Sequence, residues 1–394
     1  MTVNDILLKV PLRVEVISPI HIGTGERLSN KSCVVKNQEV YMADEQKLLA
    51  LITSTPRLQT AFERFCLDRS PLSRFLRDNG LDVSQVAEYA VDSIGTSVNL
   101  NFYLPFIKSG SYPSRPYLPG SSLKGALRSA FLRAYLLTNE SARKEGAQFI
   151  REAFEAGNPK AADDGLEQSF YGQDQHHEWL RLLQINDTQP VHLKQLQVAE
   201  VRIYSSAQNR QLQQKTGRGG NPVVLSPEVL ASKTNLKSAL VVNQYLAQGP
   251  AEKQLGFKAY LSRIADFAVA CNQVAEEHIS QEIQFYEYHR QQDLATWYKD
   301  LDEQRKALRP DQFECLIRLG WGTGYDNKTV SDIFDDDTFN AIRDTYDLPV
   351  GRPGRRGRPL PKRLSPKSRK LAVVRNERGG ESLQPLGWLC LRAQ

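Results

Sequence analysis

A glycine-threonine-glycine turn occurs twice in the chain, at residues 23–25 and at residues 322–324. Each turn follows a short apolar run rich in β-branched residues, at 12–17 and 313–319, so each is predicted to follow a strand. Glycine tolerates positive φ and lets another backbone approach closely. Two such loops could present main-chain N–H groups to a ligand. The alternative is a pair of ordinary strand-to-loop turns.

A histidine, His21, stands two residues before the first turn. Because imidazole titrates near neutral pH, this side chain could act as a general acid or base, for example on a ribose 2′-hydroxyl. Such chemistry also needs a second proton-transfer group or an oriented cation, and the sequence identifies no such partner. We therefore assign no catalytic residue and interpret His21 as structural or ligand-contacting.

A Pro-Gly-Ser-Ser sequence precedes a predicted helix in the first third of the chain. Apolar residues follow it at helical spacing: Leu123, Leu127, Ala130, Phe131, Ala134 and Leu137. Ser121 and Ser122 are thus predicted in the first turn, where N–H groups are unpaired and the helix dipole is positive. With Lys124, Arg128 and the upstream Arg115, this helix end suits a phosphate. The alternative is that a serine caps the helix and the cations are solvated.

Residues 351–375 include no acidic residue. The cations in this stretch are Arg352, Arg355, Arg356, Arg358, Lys362, Arg363, Lys367, Arg369, Lys370 and Arg375. Prolines and glycines exclude a regular helix in its first half, so a basic, extended segment is predicted. It suits a sequence-independent contact with a phosphate backbone; a solvated loop and a surface for an acidic protein are the alternatives. Apolar runs at 371–374 and 387–391 are predicted strands that return the tail to a sheet.

The middle of the chain contains a predicted strand at 198–204, which includes Arg202, followed by a polar stretch at 205–222. An apolar run at 236–242 could pair back with this strand and close a long hairpin. The alternative is a surface loop between two core strands. Between residues 255 and 309 the apolar spacing becomes helical.

Composition excludes several classes of protein. The 394 residues carry a net charge of only +6, and this length is sufficient for two domains. No apolar run approaches the ~20 residues of a membrane span, and residues 1–9 lack the apolar core of a signal peptide. The chain is therefore expected to be soluble and cytoplasmic.

No metal site, cofactor site or disulfide framework is predicted. The five cysteines include no CxxC pair and no nearby histidine, which indicates reduced core residues. A cluster at 174–178 contains Asp174, His176, His177 and Glu178 but lacks the i, i+4 histidine spacing of a zincin helix. An exposed polar loop or helix face is the preferred interpretation of this cluster.

Three segments together resemble the RAMP superfamily of CRISPR proteins. They are His-Ile-Gly-Thr-Gly at 21–25, Leu-Pro-Gly-Ser-Ser-Leu-Lys-Gly-Ala-Leu-Arg at 118–128 and Gly-Trp-Gly-Thr-Gly-Tyr-Asp-Asn-Lys-Thr-Val at 320–330. With Pro-Lys-Ser-Arg at 366–369 and Pro-Leu-Gly-Trp at 385–388, the chain is most similar to the subunit-five group of the Csm proteins. This resemblance covers both ends and the first third of the chain.

The resemblance implies an α+β fold of two tandem ferredoxin-like, RRM-like domains, at 1–190 and 191–394, with helical and loop insertions. The second domain would contain a thumb-like hairpin at about 198–242, a helical insertion at about 255–309 and a basic loop at 351–370. Thumbs of RAMP backbone subunits insert into the duplex of guide and target. This region resembles one by position and layout.

The resemblance also implies a non-catalytic subunit of a type III-A effector complex that binds the 3′ portion of CRISPR RNA and caps the backbone filament, supporting guide maturation and antiviral defence. Its partners would be neighbouring RAMP backbone and small subunits, with target RNA and a host nuclease as further candidates. The expected RNA-binding residues are His21, Gly23, Thr24, Gly25, Arg115, Gly120, Ser121, Ser122, Lys124, Arg128, Arg202, Trp321, Gly322, Thr323, Gly324, Lys328, Arg355, Arg356 and Arg363. Two alternatives stay open: a guide-processing endoribonuclease that uses His21, and a protein-interaction subunit without direct RNA contact.

Overall fold

The structure is a computed structural model that describes residues 7–95, 98–110, 114–206, 211–217, 219–346, 348, 368–375 and 379–394. Within these ranges the chain forms two β-sheets with helices packed against them, so the predicted α+β class is confirmed. None of the described helices combines the length and the apolarity that a bilayer crossing needs.

The described secondary structure comprises fifteen strands and ten α-helices. The strands are β1 (Leu7–Val16), β2 (Cys33–Lys36), β3 (Glu39–Ala43), β4 (Ala87–Ile94), β5 (Tyr103–Leu104), β6 (Leu183–Ile185), β7 (Leu196–Ala199), β8 (Val201–Ser206), β9 (Leu212–Gln214), β10 (Val224–Leu230), β11 (Asn235–Asn243), β12 (Glu314–Arg318), β13 (Ser368–Arg375), β14 (Glu381–Pro385) and β15 (Trp388–Ala393). The helices are α1 (Glu45–Thr53), α2 (Pro56–Leu67), α3 (Leu72–Asp78), α4 (Gly120–Thr138), α5 (Glu140–Glu155), α6 (Asp164–Tyr171), α7 (Gly249–Leu255), α8 (Asp266–Tyr288), α9 (Gln292–Lys306) and α10 (Asp336–Thr345).

The first sheet has five strands in the order β12-β15-β1-β11-β6, and all neighbours are antiparallel. Its central strand β1 alternates buried Leu12, Val14 and Val16 with outward-facing polar residues, the pattern of a strand with one buried face. This sheet unites the N-terminal strand, a strand from the middle and the C-terminal strand. It therefore contains strands from both sides of the boundary predicted at residue 190, and that division of the chain stays a prediction.

The second sheet contains ten described strands, with the path β14-β13-β8-β10-β7-β4-β3-β2 and β5 and β9 attached beside it. The strand predicted at 198–204 is present, but the predicted return of the long hairpin is wrong. Strand β8 pairs with β10 and with β9, whereas the apolar run at 236–242 belongs to β11, which pairs with β1 and β6. An alternating apolar strand can satisfy its hydrogen bonds in either sheet, so its local pattern does not select the partner.

The main core lies between the first sheet and helices α4 and α8. Phe131 of α4 stacks on Phe267 of α8 with a centroid separation of 4.3 Å. Arg133, also in α4, is buried and forms ion pairs with Glu277 (2.8 Å) and Asp332 (2.6 Å). This guanidinium therefore ties α4 to α8 and to the chain that follows the second glycine turn.

Helix α8 also covers the outer edge of strand β12. The Asn272 side chain donates from Nδ2 to the Glu314 carbonyl oxygen (2.9 Å) and accepts at Oδ1 from the Leu316 N–H (3.0 Å). A side-chain amide thus takes the place of a neighbouring strand. It satisfies the Glu314 carbonyl and the Leu316 N–H, two backbone groups of the strand edge that would otherwise be unpaired beside the core.

We expect Asn272→Ala to lower the free energy of unfolding by about 1–3 kcal/mol, because both edge groups would be left without a partner while buried. Ser280→Ala, on the exposed side of the same helix, is the matched control and should change stability by less than about 0.5 kcal/mol. Chemical denaturation monitored by circular dichroism measures both. Equal stabilities of the two variants would contradict the role assigned to Asn272.

Candidate nucleic-acid interface

The two glycine turns, about 300 residues apart in sequence, meet in the fold. The Trp321 N–H donates to the His21 carbonyl oxygen (2.9 Å). A Cβ atom on Gly320 would lie 2.6 Å from the same oxygen, and the φ of Gly320 is +96°. Only glycine allows this approach. The residues that flank the two turns therefore hold the turns side by side, and the presentation of their own N–H groups to a ligand stays a prediction.

A third segment, the turn between β14 and β15, closes the same junction. The Gly387 N–H donates to the Pro19 carbonyl oxygen (2.9 Å), and the Gly387 carbonyl accepts from Leu319 (2.9 Å). A Cβ on Gly387 would come within 2.4 Å of Thr323 Cγ2. The buried part of the second turn thus packs against the C-terminal hairpin. Gly324 stays exposed, with open space around its Cα.

His21 is buried at this junction, with 3% of its surface exposed. Its Nδ1 lies 2.7 Å from the Glu228 carbonyl oxygen, and its ring packs edge-on against Phe106 and Trp321. Burial lowers the pKa of this imidazole, so the ring is neutral at physiological pH. The structure therefore favours the structural interpretation of His21. Gly23, Thr24 and Gly25 beyond it are exposed.

A buried carboxylate that the sequence analysis missed holds the first turn in place. Glu228 is fully buried and accepts hydrogen bonds from the hydroxyls of Tyr89 and Tyr103 (2.7 Å each) and from the Phe106 N–H (2.7 Å). Lys108 Nζ forms an ion pair with it at 2.6 Å. The sequence signal for this residue was a glutamate within an apolar strand, Ser-Pro-Glu-Val-Leu. A charge buried there needs a partner, because an unpaired buried charge is strongly destabilising.

The N-terminus of α4 is occupied by an acidic side chain of the protein itself. Gly120 donates its N–H to Asp187 Oδ1 (2.8 Å), and a Cβ at Gly120 would lie 2.0 Å from the Ile185 carbonyl oxygen. Ser121 and Ser122 lie in the first turn as predicted, but neither side chain caps the helix; the N-cap is a proline. The capping alternative is therefore wrong. The Gly120 N–H already has an anionic partner, which disfavours a phosphate there.

The two cations of α4 have partners within the chain. Lys124 Nζ donates to the Leu180 carbonyl oxygen (3.0 Å), and burial lowers its pKa. Arg128 forms ion pairs with Glu167 (2.8 Å) and Glu178 and lies over the Tyr171 ring. Both side chains attach α4 to the segment 164–182. This arrangement corrects the expectation that the pair is solvated, and their contact with RNA stays a prediction.

Two other predicted cations differ in their surroundings. Arg115 is exposed. Arg202 is part-buried and forms an ion pair with Glu200 (2.6 Å). Arg355, Arg356 and Arg363 lie outside the described residues, as does most of the basic segment.

Three lysines cluster beside the second glycine turn. Lys370 Nζ lies 5.4 Å from the centroid of the Trp321 ring. Lys370 is opposite Ile203 in the β13–β8 pair, and Lys215 donates its N–H to the Ile203 carbonyl (2.7 Å). Burial, Lys328 and Lys215 together lower the pKa of Lys370. In the described part of the chain none of these lysines has an acidic partner in an ion pair.

The second-turn cluster, defined here as Trp321, Lys215, Lys328 and Lys370, has the properties of an anion site. A part-buried ammonium with two cationic neighbours is electrostatically unfavourable until an anion arrives. Trp321 adds an aromatic ring, and Gly324 adds accessible backbone. Trp321 and Lys328 were predicted from the sequence. Lys215 was not predicted as a site residue, because only strand pairing brings residues 215 and 370 to either side of Ile203 in β8.

Cysteine and acidic clusters provide no competing site in the described residues. Cys33, Cys271, Cys315 and Cys390 are buried, as predicted for core residues, whereas Cys66 is exposed. His177 pairs with Asp174 at the surface (2.9 Å). In the described ranges, no group of three or more potential ligands could hold a metal ion.

Substitution of Gly320 tests whether the close approach of the two turns requires glycine at that position. Gly320→Ala and Gly324→Ala both place a side chain at positive φ, +96° and +97°, which costs about 1–2 kcal/mol. Only Gly320→Ala also forces Cβ against the His21 carbonyl, so we expect it to cost a further 1–3 kcal/mol, roughly the penalty of overpacking. Free energies of unfolding from urea titration distinguish the two. Equal destabilisation of the two variants would mean that the turns do not meet as described.

Comparison with known proteins identifies relatives of this chain. Csm5 of the Streptococcus thermophilus CRISPR system is 25% identical over 209 residues, which are 49% of this chain and 55% of the relative. Csm5 of Mycobacterium tuberculosis is 30% identical over 156 residues, 33% of this chain and 40% of the relative. The matches thus span about half of these relatives or less.

Solved structures with the same fold cover nearly the whole chain. One chain of the cryo-EM structure of a Csm–crRNA–target RNA ternary complex of a type III-A CRISPR-Cas system has a TM-score of 0.64 at 20% identity, covering 98% of this chain and 100% of that one. The crystal structure of T. onnurineus Csm5 has a TM-score of 0.61 at 17% identity, covering 96% and 99%. The model of the RAMP superfamily matches residues 13–325. This match covers most of the sequence, so the chain belongs to the RAMP superfamily, and among its members it resembles Csm5.

Proposed function

We propose that this chain is the Csm5-like, RNA-binding subunit of a type III-A CRISPR effector complex. In this role it binds the 3′ portion of CRISPR RNA and caps the backbone filament in the cytoplasm. The curated relatives are Csm5 proteins, and one structural neighbour comes from a complex of Csm proteins with crRNA and target RNA. The proposed partners are guide RNA and neighbouring RAMP backbone and small subunits, with target RNA and a host nuclease as further candidates.

The observation that carries the RNA-binding proposal is the second-turn cluster. Lysines without carboxylate partners favour a polyanion, and phosphates spaced along one strand would neutralise several of them together. The Trp321 ring could stack on a base, which is sequence-tolerant because every base has a π-face. The cations at 352–367 directly precede β13 in the sequence, and β13 contributes Lys370 to the cluster.

The five-stranded sheet supports one of the two ferredoxin-like units in this proposal. In chain order, β1, α4, β6, β11, α8 and β15 follow the β-α-β-β-α-β succession of that fold. Four of these elements form the contiguous antiparallel order β15-β1-β11-β6, with β12 added at the edge. The second unit would be built from the ten-stranded sheet, and its boundaries are part of the proposal.

The proposed role is non-catalytic. His21 is the one residue that the sequence suggested as a proton-transfer group, and it is buried, neutral at physiological pH and bonded to a main-chain carbonyl. A general base must reach the proton that it abstracts. The remaining alternative is a protein-interaction role without RNA contact. Crosslinking of this chain to guide RNA in the assembled complex is expected for an RNA-binding subunit and not for that alternative.

We predict that Lys328→Gln combined with Lys370→Gln weakens binding of single-stranded RNA and makes it less salt-dependent. Each lysine–phosphate interaction that is removed should reduce the slope of log K against log salt by roughly 0.7, so the double variant should lose about 1.4. Lys144→Gln is the control, because Lys144 lies on α5 and is paired with Glu140. Fluorescence anisotropy at several salt concentrations measures the slopes. A slope that matches that of the wild-type chain would remove the cluster from the interface.

We further predict that the full chain does not cleave labelled guide precursor, and that His21→Asn changes no rate of guide processing. Asparagine retains a side-chain donor for the Glu228 carbonyl, so the variant tests chemistry rather than folding. Loss of a true general base lowers rates by about a hundredfold to ten-thousandfold. A decrease of that size, in single-turnover assays of a variant that binds guide normally, would establish the endoribonuclease alternative.

A further inference from the structure

A cavity of about 620 Å³ lies between α4, α8 and the chain that follows the second glycine turn. Its volume falls within the range of about 300–1,000 Å³ that is typical of small-molecule pockets. Much of its wall is apolar and includes Ala126, Ala130, Val274, Ile317 and Leu319. Two of the segments that carry the family resemblance, in α4 and at 320–330, thus line one space.

A side chain in this wall has a buried polar atom without a hydrogen-bond partner in the described structure, and a carboxyl group lines the same wall. His278 is buried, and its Nε2 has no hydrogen-bond partner. Burial lowers the pKa of this imidazole, so the ring is neutral and its Nε2 donates or accepts one hydrogen bond according to the tautomer. Asp326 lies in the same wall, and burial raises the pKa of its carboxyl to about 7. When protonated, this group can also donate and accept a hydrogen bond.

The cavity adjoins the second-turn cluster. Lys328, a member of that cluster, is exposed and lines the cavity. Gly125 and Ser129 of α4 also line it; Ser129 is exposed, and the space around the Gly125 Cα is open. A phosphate bound at the surface could therefore contact Lys328 while the group attached to it enters the apolar space.

The chemistry of the wall restricts the ligand. Arg133 reaches the cavity but is neutralised by Glu277 and Asp332, so it does not provide a free cation for an anionic group in the interior. A purely aliphatic ligand would leave the buried His278 Nε2 without a partner. A flat, apolar ring with donors and acceptors along one edge satisfies both requirements.

We propose that the cavity receives one unstacked RNA base, held by hydrogen bonds from His278 and Asp326, while Lys328 contacts the adjoining phosphate. This inference rests on the proposed RNA-binding function and adds a site for a single nucleotide to it. Unstacked bases in other proteins are held in the same way, by an apolar pocket and by hydrogen bonds along the base edge.

The test uses the full chain and short single-stranded RNAs that carry 2-aminopurine at one position at a time. We expect a change of fluorescence at one or two adjacent positions only. Replacing the base there by an abasic site should weaken binding by about tenfold, the order expected when one stacked base is removed. Ala126→Phe, which fills the cavity, and His278→Leu, which removes its unpaired donor, should abolish the position-specific signal.

Two controls separate loss of the site from loss of the fold. His278→Leu should not reduce thermal stability, because it replaces an unsatisfied buried polar group by an apolar one. Leu67→Ala, at a side chain that is 91% exposed on α2, should leave the signal intact. RNA binding without any position-specific signal, or with a signal that survives both cavity variants, refutes the base site and leaves the proposed function standing. Absence of RNA binding at low salt refutes both.

Discussion

The buried carboxylate of Glu228 is the interaction on which the described junction depends. A charge inside a protein is tolerated only when it is paired and fully hydrogen-bonded. Here two tyrosine hydroxyls, a main-chain N–H and the Lys108 ammonium surround it. These donors come from stretches of the chain that are distant from β10 in sequence. Removing one partner of a buried ion pair typically costs about 3–5 kcal/mol, so these stretches are strongly held in one arrangement.

The same residue determines where the glycine turns lie. Its carbonyl oxygen fixes the His21 ring, and the carbonyl oxygen of His21 accepts the Trp321 N–H. Glycine at position 320 leaves room for this contact. The first turn, the second turn and the C-terminal hairpin are thereby locked around one buried imidazole. The exposed end of the second turn is therefore attached to a hydrogen-bonded, buried junction. Such an arrangement suits a surface that binds a ligand without reorganising.

Charge pairing separates the structural cations from those that are available to a ligand. Arg128 and Arg133 meet carboxylates inside the chain and attach α4 to its neighbours. Lys370 instead is part-buried beside two other lysines, which lowers its pKa. Repulsion of this kind is relieved by an anion and costs stability without one. The contrast explains why the proposed interface centres on the second turn rather than on the start of α4.

Local patterns in the sequence determined the elements and the family. The apolar spacing that begins at Leu123 predicted helix α4, the apolar, β-branched run at 12–17 predicted a strand, and three short motifs identified the RAMP superfamily. These signals are local, because periodicity and turn chemistry act over a few neighbouring residues. Only the tertiary structure decided that β11 pairs with β1, that Asp187 occupies the start of α4, and that Lys215 and Lys370 lie on either side of Ile203. Pairings between distant segments depend on which partner buries a face or neutralises a charge, and that choice is made by the whole fold.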